Sequence, residues 1–152
     1  LSGHQVVSSP SIGIVLYPDD GTTLEDLIKK ADLAMYQAKQ QGGSSYHFFN
    51  EYMTQQANDR LETETALREA IAQEHEFIVH YQPQVNLETG RIDGLEALIR
   101  WQKEGQIVPP NDFIPLAEET GLIVPLGDLV MRTVFRDIKL WLQNNQLRYA
   151  IS

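Results

Sequence analysis

The sequence contains no cysteine, which removes disulfides, thiolate metal sites and cysteine nucleophiles together and suits a reducing compartment. Long apolar runs are also missing. Stretches such as Ile14 to Tyr17 and Gly121 to Leu126 fall far short of the roughly 20 residues that a bilayer span requires. Positive charge is scarce, with 12 Lys and Arg against 21 Asp and Glu and a formal charge of -9. An acidic chain without an arginine-lysine stripe repels nucleic-acid backbones, so neither DNA nor RNA is an expected partner. Any phosphate ligand needs a local arginine or a metal. No internal repeat, low-complexity tract or long heptad series occurs. A cytoplasmic location is the simpler expectation. Because the chain starts at Leu1, the lack of a signal peptide leaves an upstream membrane anchor open.

What is present is enough to build a core: 152 residues, 42% of them hydrophobic. Ser11 to Tyr17 reads as a buried strand closed by the turn Pro18-Asp19-Asp20-Gly21. Thr22 and Glu25 have the spacing of a capping box. Leu24, Leu27, Ile28, Ala31, Met35 and Ala38 then recur at helical intervals up to Gly42-Gly43. A short strand, Tyr46 to Phe49, follows. The charged stretch Leu61 to Gln73, with Glu64 four residues before Arg68 and a narrow stripe of Leu67, Ala70 and Ile71, reads as a solvated connector helix. Phe77 to Gln82 and Arg91 to Trp101, separated by Glu88-Thr89-Gly90, predict an antiparallel hairpin. Pro109-Pro110-Asn111 opens a short helix, Asp112 to Glu119, ended by Gly121. A longer helix runs from Leu126 to the break at Asn144-Asn145, and Leu147 to Ser152 reads as a further strand.

The strand Gly94-Leu95-Glu96-Ala97-Leu98-Ile99-Arg100-Trp101 carries the most chemistry. Side chains alternate across a strand, so Glu96, Leu98 and Arg100 share one face and Leu95, Ala97, Ile99 and Trp101 the other. Along one strand the Cα atoms of Glu96 and Arg100 stand about 13 Å apart, too far for an easy mutual ion pair. Each therefore needs another partner. From this pattern a structural ion pair and a ligand site are equally good readings.

The run from Tyr81-Gln82-Pro83 through Gly94 to Trp101 and on to Phe113-Ile114-Pro115-Leu116-Ala117-Glu118-Glu119-Thr120-Gly121-Leu122-Ile123 closely resembles the opening of EAL domains, bacterial phosphodiesterases that hydrolyse cyclic di-GMP. Ser11-Ile12-Gly13-Ile14, Tyr17-Pro18 and Ala31-Asp32-Leu33-Ala34-Met35-Tyr36-Gln37-Ala38-Lys39 resemble the closing third of GGDEF domains, the diguanylate cyclases. Together they resemble the junction of a tandem GGDEF-EAL signalling protein. The resemblance implies an α/β chain: residues 1–50 as the tail of an α+β GGDEF domain, 51–66 as a connector helix, and 67–152 as the first strands and helices of an incomplete TIM-like (β/α) barrel. It further implies that Glu96 ligates a divalent metal, Mg2+ or Mn2+. Gln82 and Arg100 would contact cyclic di-GMP and Leu98 would line its pocket. In the complete domain, metal-activated water would open the ring to pGpG, and barrel ligands gather at the carboxyl ends of strands. Lys39 matches a lysine that contacts GTP phosphate, which makes GTP a second possible ligand. The parent is expected to be a homodimer, with anchorage to the inner membrane open.

The departures are specific. Family members draw further metal ligands and a catalytic lysine from later strands, so no catalytic set is complete within 152 residues and the chain alone is not expected to hydrolyse cyclic di-GMP. A catalytically silent receptor and a regulatory or dimerisation module are the alternatives. The His-Pro common after the motif tryptophan is replaced by Gln102-Lys103-Glu104, one residue shorter, and Gly43 stands where an arginine is usual. Lys39 on the last turn of a helix also satisfies the helix dipole. His4, His47, His75 and His80 have no metal-ligand spacing and read as surface or partly packed residues; Glu118 and Glu119 read as solvated charges. The tryptophans, Met35 and Tyr36 read as packing residues.

Overall fold

The computed structural model describes residues 9–144 and the backbone of 150–151. The chain divides into two units, Leu1–Leu61 and Glu62–Ser152. In the first, β1 (Ser11–Ile14) pairs in parallel with β2 (Ser45–Phe48), and α1 (Leu24–Gln40) makes the crossover between them. β1 is shorter than the apolar run Ser11 to Tyr17, because Asp20 folds back: its carboxylate accepts from the Leu16 amide at 2.6 Å and its own amide donates to the Leu16 carbonyl at 2.8 Å. The helix cap falls one residue later than the Thr22–Glu25 spacing suggests. The Thr23 hydroxyl accepts from the Asp26 amide at 3.2 Å.

The face of α1 that is covered keeps part of the expected stripe, with Ala38 fully buried and Leu27 and Ala31 half-buried, but adds the fully buried Ala34 and leaves Leu24 and Ile28 75% and 60% exposed. Gly13 explains the preference for small residues, since a Cβ there would collide with the Ala31 carbonyl and the Met35 amide. The helix backbone lies directly on the strand. Ala34 joins Phe49 and Met53 in this unit's core.

α2 (Glu51–Gln73) is one continuous helix. Its early turns belong to the first unit, where Gln56 bonds Gln37 at 2.8 Å and Arg60 lies 5.5 Å from the Tyr36 ring centroid. Its last turns are not solvated as expected of a connector: Leu67 and Ala70 are buried in the core of the second unit. The apolar stripe is narrow because a fully covered leucine and alanine suffice there.

In the second unit β3 (Phe77–Val85) and β4 (Ile92–Lys103) form the predicted antiparallel hairpin. β4 pairs along its other edge with β5 (Gln106–Val108) at Trp101 to Lys103, and in parallel with β6 (Ala150–Ile151) at Gly94 and Leu95. Residues 147–149 and 152 of the last expected strand lie outside the described residues. α3 (Pro110–Thr120) and α4 (Ile123–Gln143) lie between β5 and β6 in the chain. Gly121 ends α3 in the left-handed conformation at φ 75°. The core is built around Trp101, with ring centroids of Phe113 at 5.7 Å and Phe77 at 6.1 Å, and Leu122, Leu126 and Leu129 close it. Each such large side chain, fully buried, contributes about 1.5–3 kcal/mol. Among the described residues the sheet is open and four-stranded, not a closed barrel.

β5 has no counterpart in the sequence reading. Gln102-Lys103-Glu104 does not form a long loop: Lys103 pairs with Gln106, and the two residues between them, Glu104 and Gly105, both have positive φ, 51° and 79°. That is the signature of a tight two-residue hairpin turn whose twist matches the flanking strands. A shorter segment therefore closes a hairpin.

Candidate functional site

The register of β3 on β4 decides which side chains meet. Gln82 stands opposite Glu96, His80 opposite Leu98, and Ile78 opposite Arg100. Residues directly opposite share a face, with Cβ atoms about 4.5–5.5 Å apart. One face of the hairpin thus gathers Gln82, Glu96, Leu98 and Arg100, the four residues singled out from sequence in this unit, together with His80. The opposite face is occupied by the core. Phe77 and Trp101 are buried there, and Tyr81 reaches α4, its ring 4.7 Å from that of Trp141 and its hydroxyl donating to Asp137 Oδ2 at 2.8 Å. Burial and the neighbouring carboxylate both raise the Tyr81 pKa, which keeps the phenol protonated. These contacts fix the hairpin by one face.

On the polar face Glu96, Gln82 and His80 are exposed, while Leu98 and Arg100 are half-buried. Arg100 does not form the structural ion pair that the sequence pattern allowed. Its Nη1 donates to the Ile99 carbonyl at 2.8 Å, and among the described residues it has no carboxylate partner. A guanidinium has five N–H donors, so most remain available to a ligand. Glu96 likewise has no hydrogen bond or ion pair among the described residues. Between Leu95 and Trp101, β4 has no strand on its second edge among those residues.

Metal ligation tests the face more sharply. Hard divalent cations take about six or more oxygen ligands. Among the described residues no three His, Asp or Glu side chains converge, and Glu96 is the single carboxylate between Gly94 and Arg100 on this face. These residues offer a single carboxylate and do not by themselves make a metal site.

Lys39 lies elsewhere, in the last turn of α1 within the first unit. It is exposed and placed where a cation complements the helix dipole. Sequence reading missed Asp137 and Glu76 as anchors of the hairpin. Glu76 accepts from Trp101 Nε1 at 2.8 Å, and its carbonyl accepts from the Gln102 amide at 2.7 Å. Neither contact has a sequence spacing that would reveal it. Among the described residues no helix is long and apolar enough to cross a membrane.

The second unit is mixed α/β and presents Gln, Glu and Arg on one face of a core-backed hairpin; the comparisons give the family. Residues 64–152 match the EAL domain model and residues 1–45 the model of the diguanylate cyclase GGDEF domain. The chain belongs to the EAL domain family, joined to the end of a GGDEF domain. It is 41% identical over its whole length to the bifunctional diguanylate cyclase/cyclic di-GMP phosphodiesterase MucR of Pseudomonas aeruginosa, covering 22% of that protein. It is 40% identical over 97% of its length to the cyclic di-GMP phosphodiesterase PdeR of Escherichia coli, again covering 22%. A solved structure of the PaMucR phosphodiesterase in complex with c-di-GMP matches 59% of this chain and 36% of that one, at 35% identity and a TM-score of 0.53. The chain spans about a fifth of the length of these curated relatives.

Proposed function

We propose that this chain carries the opening part of the substrate site of a cyclic di-GMP phosphodiesterase. The observation that carries the reading is the register that sets Gln82 against Glu96 and places Leu98 and Arg100 on the same face, where among the described residues Arg100 has no carboxylate partner. Relatives whose names state this activity, similar along nearly the whole chain, support it.

In this reading Arg100 supplies the cation that an acidic chain otherwise withholds from a phosphodiester. Its bond to the Ile99 carbonyl holds the guanidinium in place before the ligand arrives. Gln82 donates and accepts at the other end of the face, and Leu98 gives the dinucleotide an apolar wall. Glu96 offers one oxygen to a divalent metal, Mg2+ or Mn2+, whose remaining ligands these residues do not provide. Such an ion lowers the pKa of bound water and stabilises phosphoryl charge. The 152 residues alone are not proposed to turn over substrate. The first unit contributes Lys39 alone toward a GTP phosphate, and no cyclase activity is proposed from it.

The test is hydrolysis of cyclic di-GMP to its linear dinucleotide by the full-length protein with magnesium, against Glu96→Gln. Changing residues that merely support a metal ligand costs about 10–100-fold, so losing the ligand itself should cost at least as much. Equal rates in both would overturn the reading. Binding without hydrolysis in either would favour the receptor alternative.

A further inference from the structure

The polar face holds one side chain that the proposed function leaves unused. His80 stands directly opposite Leu98, midway between the Gln82–Glu96 pair and the Ile78–Arg100 pair. Glu96 and Arg100 are its two diagonal neighbours across the ladder, at the roughly 7–8 Å of such positions. Gln82 follows it on the same face of β3 at about 6.6 Å along the strand. The imidazole is exposed and has no hydrogen bond to protein among the described residues. His47, by contrast, spends a ring nitrogen on Gln41 at 3.0 Å. Nor does His80 serve packing, because the core takes the other face of β3 through Phe77 and Tyr81.

We infer that His80 is a ligand-contacting residue of this site, its ring and the Leu98 side chain forming the platform on which one purine base of the dinucleotide lies. This rests on the reading of the chain as part of a cyclic di-GMP site. A flat aromatic ring beside an aliphatic side chain makes a step of low polarity between the Gln82–Glu96 pair and Arg100. The planar part of a cyclic dinucleotide is its base, and its charged part is the phosphodiester. Arg100 matches the second and the His80–Leu98 pair the first. Base stacking on an aromatic side chain is sequence-tolerant and measurable by truncation.

The experiment is calorimetric titration of cyclic di-GMP, in EDTA to prevent turnover, into the full-length protein and three single variants, His80→Ala, His80→Phe and Arg100→Ala. The expected result is a dissociation constant raised about fivefold or more in His80→Ala, as loss of one stacking contact implies, with His80→Phe within twofold to threefold of the native protein because it keeps a ring. If His80→Ala binds like the native protein while Arg100→Ala is weakened, the inference falls and the proposed function stands. If His80→Phe is weakened as much as His80→Ala, a base platform is likewise ruled out. If neither the native protein nor any variant binds, in EDTA or with magnesium restored, both fall together.

Discussion

Gln82 and Glu96 face each other across the β3–β4 ladder, so an amide and a carboxylate from strands running in opposite directions share one small patch of surface. Neither is buried, and among the described residues neither side chain bonds to the rest of the hairpin. Replacing Gln82 by Ala should therefore leave the thermal midpoint of the protein unchanged and weaken cyclic di-GMP binding. A hydrogen bond to a charged group is worth about 1.5–3 kcal/mol, which corresponds to roughly 10–100-fold in affinity. Calorimetry and a melting curve on the same preparation check both halves, and a drop in stability without loss of affinity would assign Gln82 to the fold.

Trp101 is where the site depends on the core. It is 1% exposed, lies between Phe77 and Phe113, and donates to Glu76. The residue next to it is Arg100. Trp101→Ala should cost about 3–5 kcal/mol through the cavity it leaves, and Trp101→Phe about 1–3 kcal/mol, from the lost hydrogen bond and the smaller ring. Denaturant titration followed by far-ultraviolet circular dichroism measures both. If Trp101→Phe keeps its stability but loses ligand affinity, the indole would be positioning Arg100 rather than filling space.

A pH dependence follows from the bond between Tyr81 and Asp137. The folded protein raises the phenol's pKa above its usual value near 10.0, by burial first and by the Asp137 carboxylate second. A group whose folded pKa is raised contributes its stability in full below the unfolded value and loses it above, because the unfolded chain gives up the proton first. Stability should thus fall as pH rises above about 10, and Tyr81→Phe should flatten that fall. Parallel denaturation curves for the native protein and the variant between neutral and strongly alkaline pH would show equal slopes if the phenol is neither buried nor bonded to Asp137.

The extent to which the sequence revealed this architecture depended on how local the deciding interactions were. Alternation along Gly94 to Trp101 is local, and it placed Glu96, Leu98 and Arg100 on one face before any coordinates. The register that adds Gln82 and His80 is not local, and alternation alone could not say which residue of β3 meets which of β4. Hence His80 read as an unremarkable surface histidine. The helix around Leu67 looked solvated because its stripe is thin, and only the Phe77, Trp101 and Phe113 rings above it reveal that Leu67 and Ala70 are covered. Likewise, Leu24 and Ile28 fit the helical period of α1 better than Ala34 does, yet the glycine at position 13 draws the alanine face inward. Periodicity finds a helix, and the partner decides which stripe is buried.

Gly13 itself gives a direct test of that last point. A methyl group there meets the backbone of α1, not the end of a flexible side chain, so the helix must move off the strand. Gly13→Ala should destabilise the first unit by at least about 1–3 kcal/mol, as overpacking does. Hydrogen exchange read by mass spectrometry localises the effect: faster exchange is expected in β1 and α1 and unchanged exchange in β4. Protection lost equally in both units would mean that they unfold as one.

The turn at Glu104 and Gly105 separates a defect from a design. Gln102-Lys103-Glu104 departs from the family's usual sequence, and a departure next to a site motif can be read as decay. The structure instead shows a regular two-residue turn in which Glu104 alone is ill suited, since a non-glycine residue at positive φ pays a conformational penalty. Replacing Glu104 by Asn, a residue this turn favours, should stabilise the second unit by about 0.5–1 kcal/mol and leave cyclic di-GMP affinity unchanged, because the side chain belongs to the β4–β5 hairpin and not to the face of Glu96 and Arg100. Denaturant midpoints and calorimetry on the variant give the two readouts. A stabilised protein with native affinity fits a turn that is only a turn. Lost affinity would place the shortened segment in the ligand site and turn attention to what Lys103 and Glu104 touch there.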